Sequence, residues 1–187
     1  MSQIRIVFLG LGAVGKSALI IRFIQDTFVE SYEPTITNVY KKQINLDGKN
    51  HMIEVLDTAG MEDDESLKAS FIRNRDCFFL VYSLTDRTSF EEIREIYNDV
   101  IRFKTQNESE KIPIVLIGNK KDLEDQRQIS TKEGQELARE INAIFVETSA
   151  LTGENVEDAI FQGVKEHLKT LPPDPIEEKR KWRCVLI

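Results

Sequence analysis

The chain has 187 residues, of which 41% are hydrophobic and 30% are charged, a size and composition typical of one globular domain with a sizeable core. No segment approaches the roughly 20 apolar residues of a membrane span, and we expect no signal peptide because the first apolar run, residues 4–9, is too short. The net charge of −7 argues against nucleic-acid binding, which requires a basic face on the folded domain.

The two cysteines predict no disulfide framework and favour a cytosolic compartment. Cys77 opens the apolar run 77–82 and is predicted to be a small buried core residue. Cys184 lies near the end of the chain and is considered with the tail below.

The first predicted strand, residues 4–9, leads directly into a glycine-rich motif, Gly10-Leu11-Gly12-Ala13-Val14-Gly15-Lys16-Ser17. Glycines let successive backbone N–H groups turn inward around a phosphate, and Lys16 adds a positive charge. Ser17 offers a hydroxyl to Mg²⁺, and the helix predicted over residues 16–25 directs the positive end of its dipole at the same anion. This pattern predicts a nucleoside triphosphate site, with a strand-to-helix turn that binds no ligand as the alternative.

The next predicted elements are a polar stretch, residues 26–37, and two strands, residues 39–46 and 51–56. The strands alternate in polarity across Asp47-Gly48, a strong hairpin signal, and so predict an antiparallel edge. The second strand ends in Asp57-Thr58-Ala59-Gly60. An aspartate at this place can hold Mg²⁺ through water, and a flexible glycine can offer its N–H to a γ-phosphate.

Strands and helices then alternate to residue 169. Residues 61–75 are weakly amphipathic, and the predicted elements that follow are strand 77–82, helix 89–104, strand 112–117, helix 131–140, strand 143–146 and helix 155–169. The alternation indicates an α/β fold with a mostly parallel sheet covered on both faces. Pro172, Pro173 and Pro175 end the last helix, which predicts a domain over residues 1–170 and a tail over residues 171–187.

Two further motifs follow the last two strands. Asn119-Lys120-Lys121-Asp122 is the more specific, because a carboxylate at Asp122 can accept hydrogen bonds from N1–H and the 2-amino group of guanine, and adenine presents neither donor. A charged surface turn is the alternative. In Thr148-Ser149-Ala150, backbone N–H groups can meet guanine O6.

With these four motifs the chain resembles the Ras family of small GTPases from residue 4 to about residue 168. The resemblance implies the P-loop NTPase fold, a six-stranded sheet with one antiparallel edge strand, and GTP or GDP with Mg²⁺ as ligands. It implies Mg²⁺ ligands at Ser17, Thr35 and, through water, Asp57. It further implies nucleotide contacts from Gly10, Gly12, Ala13, Val14, Gly15, Lys16, Ser17, Ala18, Phe28, Val29, Glu30, Tyr32, Pro34, Thr35, Gly60, Asn119, Lys120, Asp122, Leu123, Ser149, Ala150 and Leu151. Phe28 would pack on the base, or alternatively anchor its loop.

Departures from the family pattern affect the predicted chemistry. Lys16, Thr35 and Gly60 match the family's catalytic positions, but Met61 replaces the usual glutamine, whose amide orients the attacking water. Thr37-Asn38 replaces the acidic effector-facing pair of Ras proper, Leu151 replaces a lysine beside the base, and Ala13 replaces a glycine.

The end of the chain, Cys184-Val185-Leu186-Ile187, has the form of a prenylation signal. Ile187 favours geranylgeranyl over farnesyl, although both remain open. Four basic residues precede it and suit an anionic inner leaflet: Lys179, Arg180, Lys181 and Arg183.

These patterns together predict a GTP-binding signalling switch at the cytoplasmic face of a membrane, with the plasma membrane favoured, and with slow hydrolysis because of Met61. The resemblance implies an exchange factor, a GTPase-activating protein and effectors contacting residues 32–40 as partners. One alternative is a largely GTP-loaded binding module that serves as a constitutive effector platform. An ATP-using phosphotransferase is disfavoured by Asp122.

Overall fold

The structure is a computed structural model, and it describes residues 2–28, 37–58, 60, 65–104 and 111–172. Six strands and six α-helices lie in this part of the chain, in the order β1 Ser2–Leu9, α1 Lys16–Gln25, β2 Thr37–Leu46, β3 Lys49–Thr58, α2 Glu65–Arg73, β4 Cys77–Ser83, α3 Arg87–Glu91, α4 Ile93–Lys104, β5 Ile114–Asn119, α5 Thr131–Glu140, β6 Ile144–Glu147 and α6 Val156–Thr170. None of these helices combines the length and the apolar character that a membrane span requires.

The strands form one sheet in the order β2-β3-β1-β4-β5-β6. Every neighbouring pair is parallel except β2 with β3, so the predicted fold class with its antiparallel edge is confirmed. The hairpin turns at Asp47 and Gly48, which have φ values of 51° and 78°. Two consecutive positive φ values are those of the tight turn that suits the twist of paired strands.

Two hydrophobic clusters lie on opposite faces of the sheet, because side chains alternate along each strand. On one face, Ile6 and Phe8 belong to the cluster that includes Leu19 of α1 and Ile160 of α6. On the other face, Val7 belongs to the cluster that α2, α3, α4 and α5 cover. Cys77 is fully buried, as predicted.

Helices α1 and α5 have the predicted bounds, but the helix predicted over residues 89–104 begins earlier and is interrupted once. The side chain of Asp86 accepts hydrogen bonds from the backbone N–H groups of Thr88 and Ser89, at 3.0 and 3.4 Å, and this cap starts α3 at Arg87. The interruption is Glu92 alone, which keeps helical dihedral angles.

Strand β5 also differs from its prediction, because it begins at Ile114 and not at residue 112. Pro113, which has no N–H to donate, precedes it, and the Pro113 carbonyl accepts a hydrogen bond from the backbone of Phe78 at 3.0 Å. Since parallel strands end at one edge of the sheet, the motifs after β1, β3, β5 and β6 meet there.

Candidate functional site

The loop between β1 and α1 requires glycine at two positions. A Cβ on Gly10 would lie 2.2 Å from the carbonyl oxygen of Val81, and a Cβ on Gly15, where φ is 98°, would lie 2.4 Å from Nδ2 of Asn119. A Cβ on Gly12, in contrast, would meet nothing within 4 Å. The loop is therefore tightly fitted against the sheet at its two ends and open at Gly12.

Lys16 is only 5% exposed, and its ammonium group is turned back on the loop. Its Nζ donates to the carbonyl oxygens of Gly10 and Leu11, both at 2.9 Å. Burial lowers the pKa of Lys16 to about 8, and the charge of Asp57 opposes that shift. A buried ammonium bonded only to neutral carbonyls is well placed to gain from an anion such as phosphate.

Asp57 presents the complementary feature, a buried carboxylate at the end of β3. Neither of its oxygens has a hydrogen-bond partner of regular geometry among the described residues. Burial raises the pKa of Asp57, whereas the nearby Ser17 hydroxyl and Lys16 lower it. Buried carboxylate oxygens without partners are rare, and oxygen ligands beside a hydroxyl suit Mg²⁺ and the water molecules that it keeps. The residues present therefore fit the predicted metal.

Gly60 packs directly on the phosphate loop. A Cβ at this residue would lie 2.5 Å from the backbone nitrogen of Gly12 and 2.7 Å from its Cα. The hydroxyl of Thr58 donates to the carbonyl of Phe8 at 2.9 Å and joins the ends of β3 and β1. Gly60 thus lies against the loop that is predicted to bind phosphate, and its contact with a γ-phosphate stays a prediction.

Asn119 connects the phosphate loop with the two motifs predicted to bind the base. Its Nδ2 donates to the carbonyl of Val14 at 3.0 Å. Its Oδ1 accepts from the hydroxyl of Thr148 at 3.2 Å and from the backbone of Ala150 at 3.3 Å. One buried amide therefore sets the spacing of three loops.

Asp122 and Ser149 are also brought together. The Ser149 hydroxyl donates to Oδ1 of Asp122 at 2.5 Å and accepts from the backbone N–H of Thr152 at 3.0 Å. The carboxylate keeps acceptor capacity for the two donors on the edge of guanine. Phe28 and Leu151 are 36% and 48% exposed and offer apolar surface.

Several predicted site residues lie outside the described residues, so their predictions stay predictions. They are Val29, Glu30, Tyr32, Pro34, Thr35 and Met61, together with Cys184 and the basic residues Lys179, Arg180, Lys181 and Arg183.

Sequence reasoning missed two arginines that hold the base loops. Arg127 forms a bidentate pair with Glu147, at 2.9 and 3.0 Å, where β6 runs into the Thr148 motif. Arg22 donates to the carbonyls of Ala150 and Leu151. The available signal for Arg22 was its place in the otherwise apolar run 18–24.

Comparison with known proteins agrees with this geometry. The Ras family matches residues 5–169. The chain belongs to the Ras family. It is 44% identical over 163 residues to Ras-like protein 1 of Saccharomyces cerevisiae, covering 87% of this chain and 52% of that protein, so it spans about half of that relative's length. It is 41% identical over 185 residues to Ras-like protein rasB of Dictyostelium discoideum, covering 99% of this chain and 92% of that protein.

Membership of the family confirms the predicted resemblance. The chain is a Ras-family small GTPase, a signalling switch that binds GTP or GDP with Mg²⁺. Membership of the Ras family implies, in general, an exchange factor, a GTPase-activating protein and effectors as partners.

Proposed function

We propose that this Ras-family switch hydrolyses GTP slowly and is anchored to the cytoplasmic face of a membrane. The observation that carries slow hydrolysis is Met61, which follows the Asp57-Thr58-Ala59-Gly60 motif. The arrangement of Lys16, Asp57 and Gly60 at the phosphate loop supports nucleotide binding. We therefore expect ordinary binding of GTP together with a weakened chemical step.

The physical reason lies in hydrogen bonding at residue 61. A glutamine amide can both donate to and accept from the attacking water, whereas a thioether donates nothing and accepts weakly. Bound Mg²⁺ neutralises charge that develops on the phosphates, and Ser17, Thr35 and Asp57 are the residues that would hold it. Lys16 and the loop amides bind the phosphates. None of these groups orients the water.

Single-turnover GTP hydrolysis by the native chain and Met61→Gln tests this proposal. We expect a native rate below about 10⁻⁴ s⁻¹, under the roughly 3–5 × 10⁻⁴ s⁻¹ of Ras itself, and weak stimulation by a Ras-type activating protein. Met61→Gln should be about tenfold faster or more. Met52→Gln is the matched control, since Met52 pairs with Gln3 near the start of β1, away from the loop.

The rival explanation is that another residue, such as Glu62, or a partner's side chain positions the water. A glutamine variant no faster than the native chain, alone or with an activator, would support that explanation and contradict ours. The nucleotide released from purified protein separates the hydrolysing switch from a constitutive effector platform. Bound GDP indicates a switch that completes its cycle, whereas bound GTP indicates a platform.

An effector platform would use residues 32–40, of which residues 37–40 belong to the described part of β2. Thr37 and Asn38 are exposed, and Val39 is 53% exposed. Because Ras proper has an acidic pair at Thr37-Asn38, we propose that this switch engages different effectors. Binding of a panel of effector domains, to the native chain and to a variant carrying Glu-Asp at these positions, tests this.

The membrane proposal rests on Cys184 and the basic residues before it. One prenyl chain gives only marginal anchoring, and each basic residue near an anionic leaflet adds about 1 kcal/mol. Changing Lys179, Arg180, Lys181 and Arg183 to Gln should therefore weaken binding of the prenylated protein to anionic vesicles by roughly a thousandfold at low salt. Unchanged partitioning would refute the role of these residues. Cys184→Ser is the control without lipid, and mass spectrometry should detect the favoured geranylgeranyl group.

A further inference from the structure

The guanidinium of Arg22, in the last turn of α1, donates hydrogen bonds to three backbone carbonyls. Its Nε donates to Ala150 at 2.9 Å, its Nη2 to Leu151 at 2.6 Å and its Nη1 to Asp26 at 3.0 Å. The side chain is only 16% exposed. The carboxylate of Asp26 lies 3.6 Å from Nη1 but is 96% exposed, so the carbonyl contacts dominate.

The three carbonyls belong to two segments, the C-terminal end of α1 and the loop after Ser149. Ala150 and Leu151 follow Ser149, whose hydroxyl is bonded to Asp122. Asp26 is the C-cap of α1, at φ 55°, and precedes Phe28 by two residues. Arg22 therefore fastens one base loop to the helix that begins at Lys16.

Arginine suits this task because its planar fork presents five donors in fixed directions. A lysine has the same charge but no such fork, so it cannot hold all three carbonyls in one geometry. Without Arg22, the carbonyls of Ala150 and Leu151 have no other hydrogen bond to α1 among the contacts of the described residues.

The backbone of Ala150 is then held at both of its polar groups, in the two peptide units that flank its Cα. Its carbonyl is held by Arg22, while its N–H makes only a long hydrogen bond, 3.3 Å, to Oδ1 of Asn119. An N–H that is weakly engaged in a firmly held loop is available to a stronger acceptor, and guanine O6 is such an acceptor.

We propose that Arg22 is a positioning residue for guanine recognition, holding the Ala150 loop so that its backbone N–H meets O6. This inference rests on guanine being the base that the site binds. It predicts a ligand-selective effect, since Arg22 acts on the loop that reads O6 and not on Asp122, which reads the N1–H and 2-amino edge.

Release rates of three nucleotides from the full chain with Mg²⁺ test the proposal. They are GDP, 6-thio-GDP, in which a weakly accepting sulfur replaces O6, and IDP, which lacks the 2-amino group. The variants are Arg22→Met, which keeps the apolar stem, and Arg22→Lys. The control is Arg94→Met, because Arg94 makes a similar bidentate contact with Glu140, at 3.0 and 2.8 Å, that joins α4 to α5.

We expect Arg22→Met to release GDP about tenfold faster, because a displaced Ala150 N–H loses its hydrogen bond to O6. The preference for GDP over 6-thio-GDP should fall by a similar factor, while the preference for GDP over IDP should persist. Arg22→Lys should be intermediate and fold normally, and Arg94→Met should behave like the native chain.

Three results would each overturn the role of Arg22. The first is equal acceleration of GDP and 6-thio-GDP release, which indicates general loosening, and the second is no acceleration in either variant. The third is the absence of a native preference for GDP over 6-thio-GDP. Absence of a native preference for GDP over IDP would instead contradict guanine recognition through Asp122, so the two failures can be told apart.

Discussion

The phosphate side and the base side of the nucleotide site differ in how their polar groups are satisfied. On the base side, Asp122, Ser149 and Asn119 are bonded to one another or to neighbouring backbone. On the phosphate side, Asp57 has two buried oxygens without regular partners among the described residues. The hydrogen bonds of the Lys16 ammonium in the same part of the chain go to carbonyls of its own loop.

This difference indicates that the two sides of the site contribute differently to nucleotide binding. The base side is preorganised, so guanine meets acceptors and donors already in position, and little ordering remains to be done on binding. The phosphate side contains buried charges that cost free energy until an anion and a cation complete them. Recognition of the base should therefore determine which nucleotide binds. The phosphates and Mg²⁺ should supply most of the stabilisation that the fold gains when the nucleotide binds.

The largest effect on nucleotide binding is expected from Asp122→Asn on the base side. The new side chain keeps an oxygen for the Ser149 hydroxyl, so the pocket should stay formed while an acceptor for guanine becomes a donor. We expect GTP to bind about 2–5 kcal/mol more weakly and xanthine nucleotides to be preferred. Competition binding with GTP and xanthosine triphosphate measures this, and equal GTP affinity before and after the substitution would refute the role of Asp122.

A second substitution, Asn119→Ala, should remove the hydrogen bonds that join the phosphate side of the site to the base side. It removes the partner of the Val14 carbonyl and of the Thr148 hydroxyl, and both contacts are buried. Leaving such groups unpaired should lower the free energy of unfolding by about 1–3 kcal/mol, measured by urea at fixed GDP and Mg²⁺.

The control for that substitution is Asn45→Ala, because the side chain of Asn45 donates to Asn50 at the exposed hairpin. It should cost within about 0.5 kcal/mol. Equal destabilisation by the two alanine variants would show that Asn119 has no special connecting role.

Much of the fold could be predicted from the sequence because the strong signals are local. The bounds of α1 follow from its apolar run after Gly15, and the hairpin follows from Asp47-Gly48, whose conformation needs no distant partner. The early start of α3 could have been found at Asp86, a good capping residue that the hydrophobic periodicity does not register.

The motifs predict site residues whose described members lie at one end of the sheet, but they do not predict what holds those residues. Arg22 and Ala150 are 128 residues apart in sequence, and Arg127 meets Glu147 across 20. No local pattern links such pairs, since their contact depends on the assembled order of strands and on which carbonyls a loop exposes. The sequence therefore marks Arg22 as an unusual charge in an apolar run, but the partners of Arg22 and Arg127 are seen only in three dimensions.

The phosphate side predicts a pH dependence of binding, set by Lys16. Burial lowers its pKa to about 8, and the negative charge of a bound phosphate should raise it. Well below pH 8 the ammonium is already charged, whereas above pH 8 binding must take up a proton. GDP affinity should therefore fall by up to about fivefold between pH 8 and pH 9. Calorimetry in two buffers of different ionisation enthalpy should detect the proton uptake.

Lys121→Gln is the control for this titration, because Lys121 pairs with Glu154 at the surface of the base side. It should leave the pH profile of binding unchanged. A flat GDP affinity from pH 7 to pH 9 in the native chain would contradict the assignment of the titration to Lys16.

The smallest expected effect lies outside both sides of the site, at Glu133 in α5. Its hydrogen bond with Arg87, followed by those with Ser130, lowers the pKa of Glu133 to about 2. A lowered carboxyl pKa stabilises the fold fully above its ordinary value of about 4.5, and that contribution is lost as pH falls towards 2. The difference in Tm between the native chain and Glu133→Gln should therefore decrease from pH 7 to pH 3.5, with GDP affinity unchanged.

The control is Glu136→Gln, which alters only an exposed contact with Lys132. Its difference in Tm from the native chain should show no such decrease. A difference in Tm that stays constant with pH would show that Glu133 does not contribute to the loss of stability in acid.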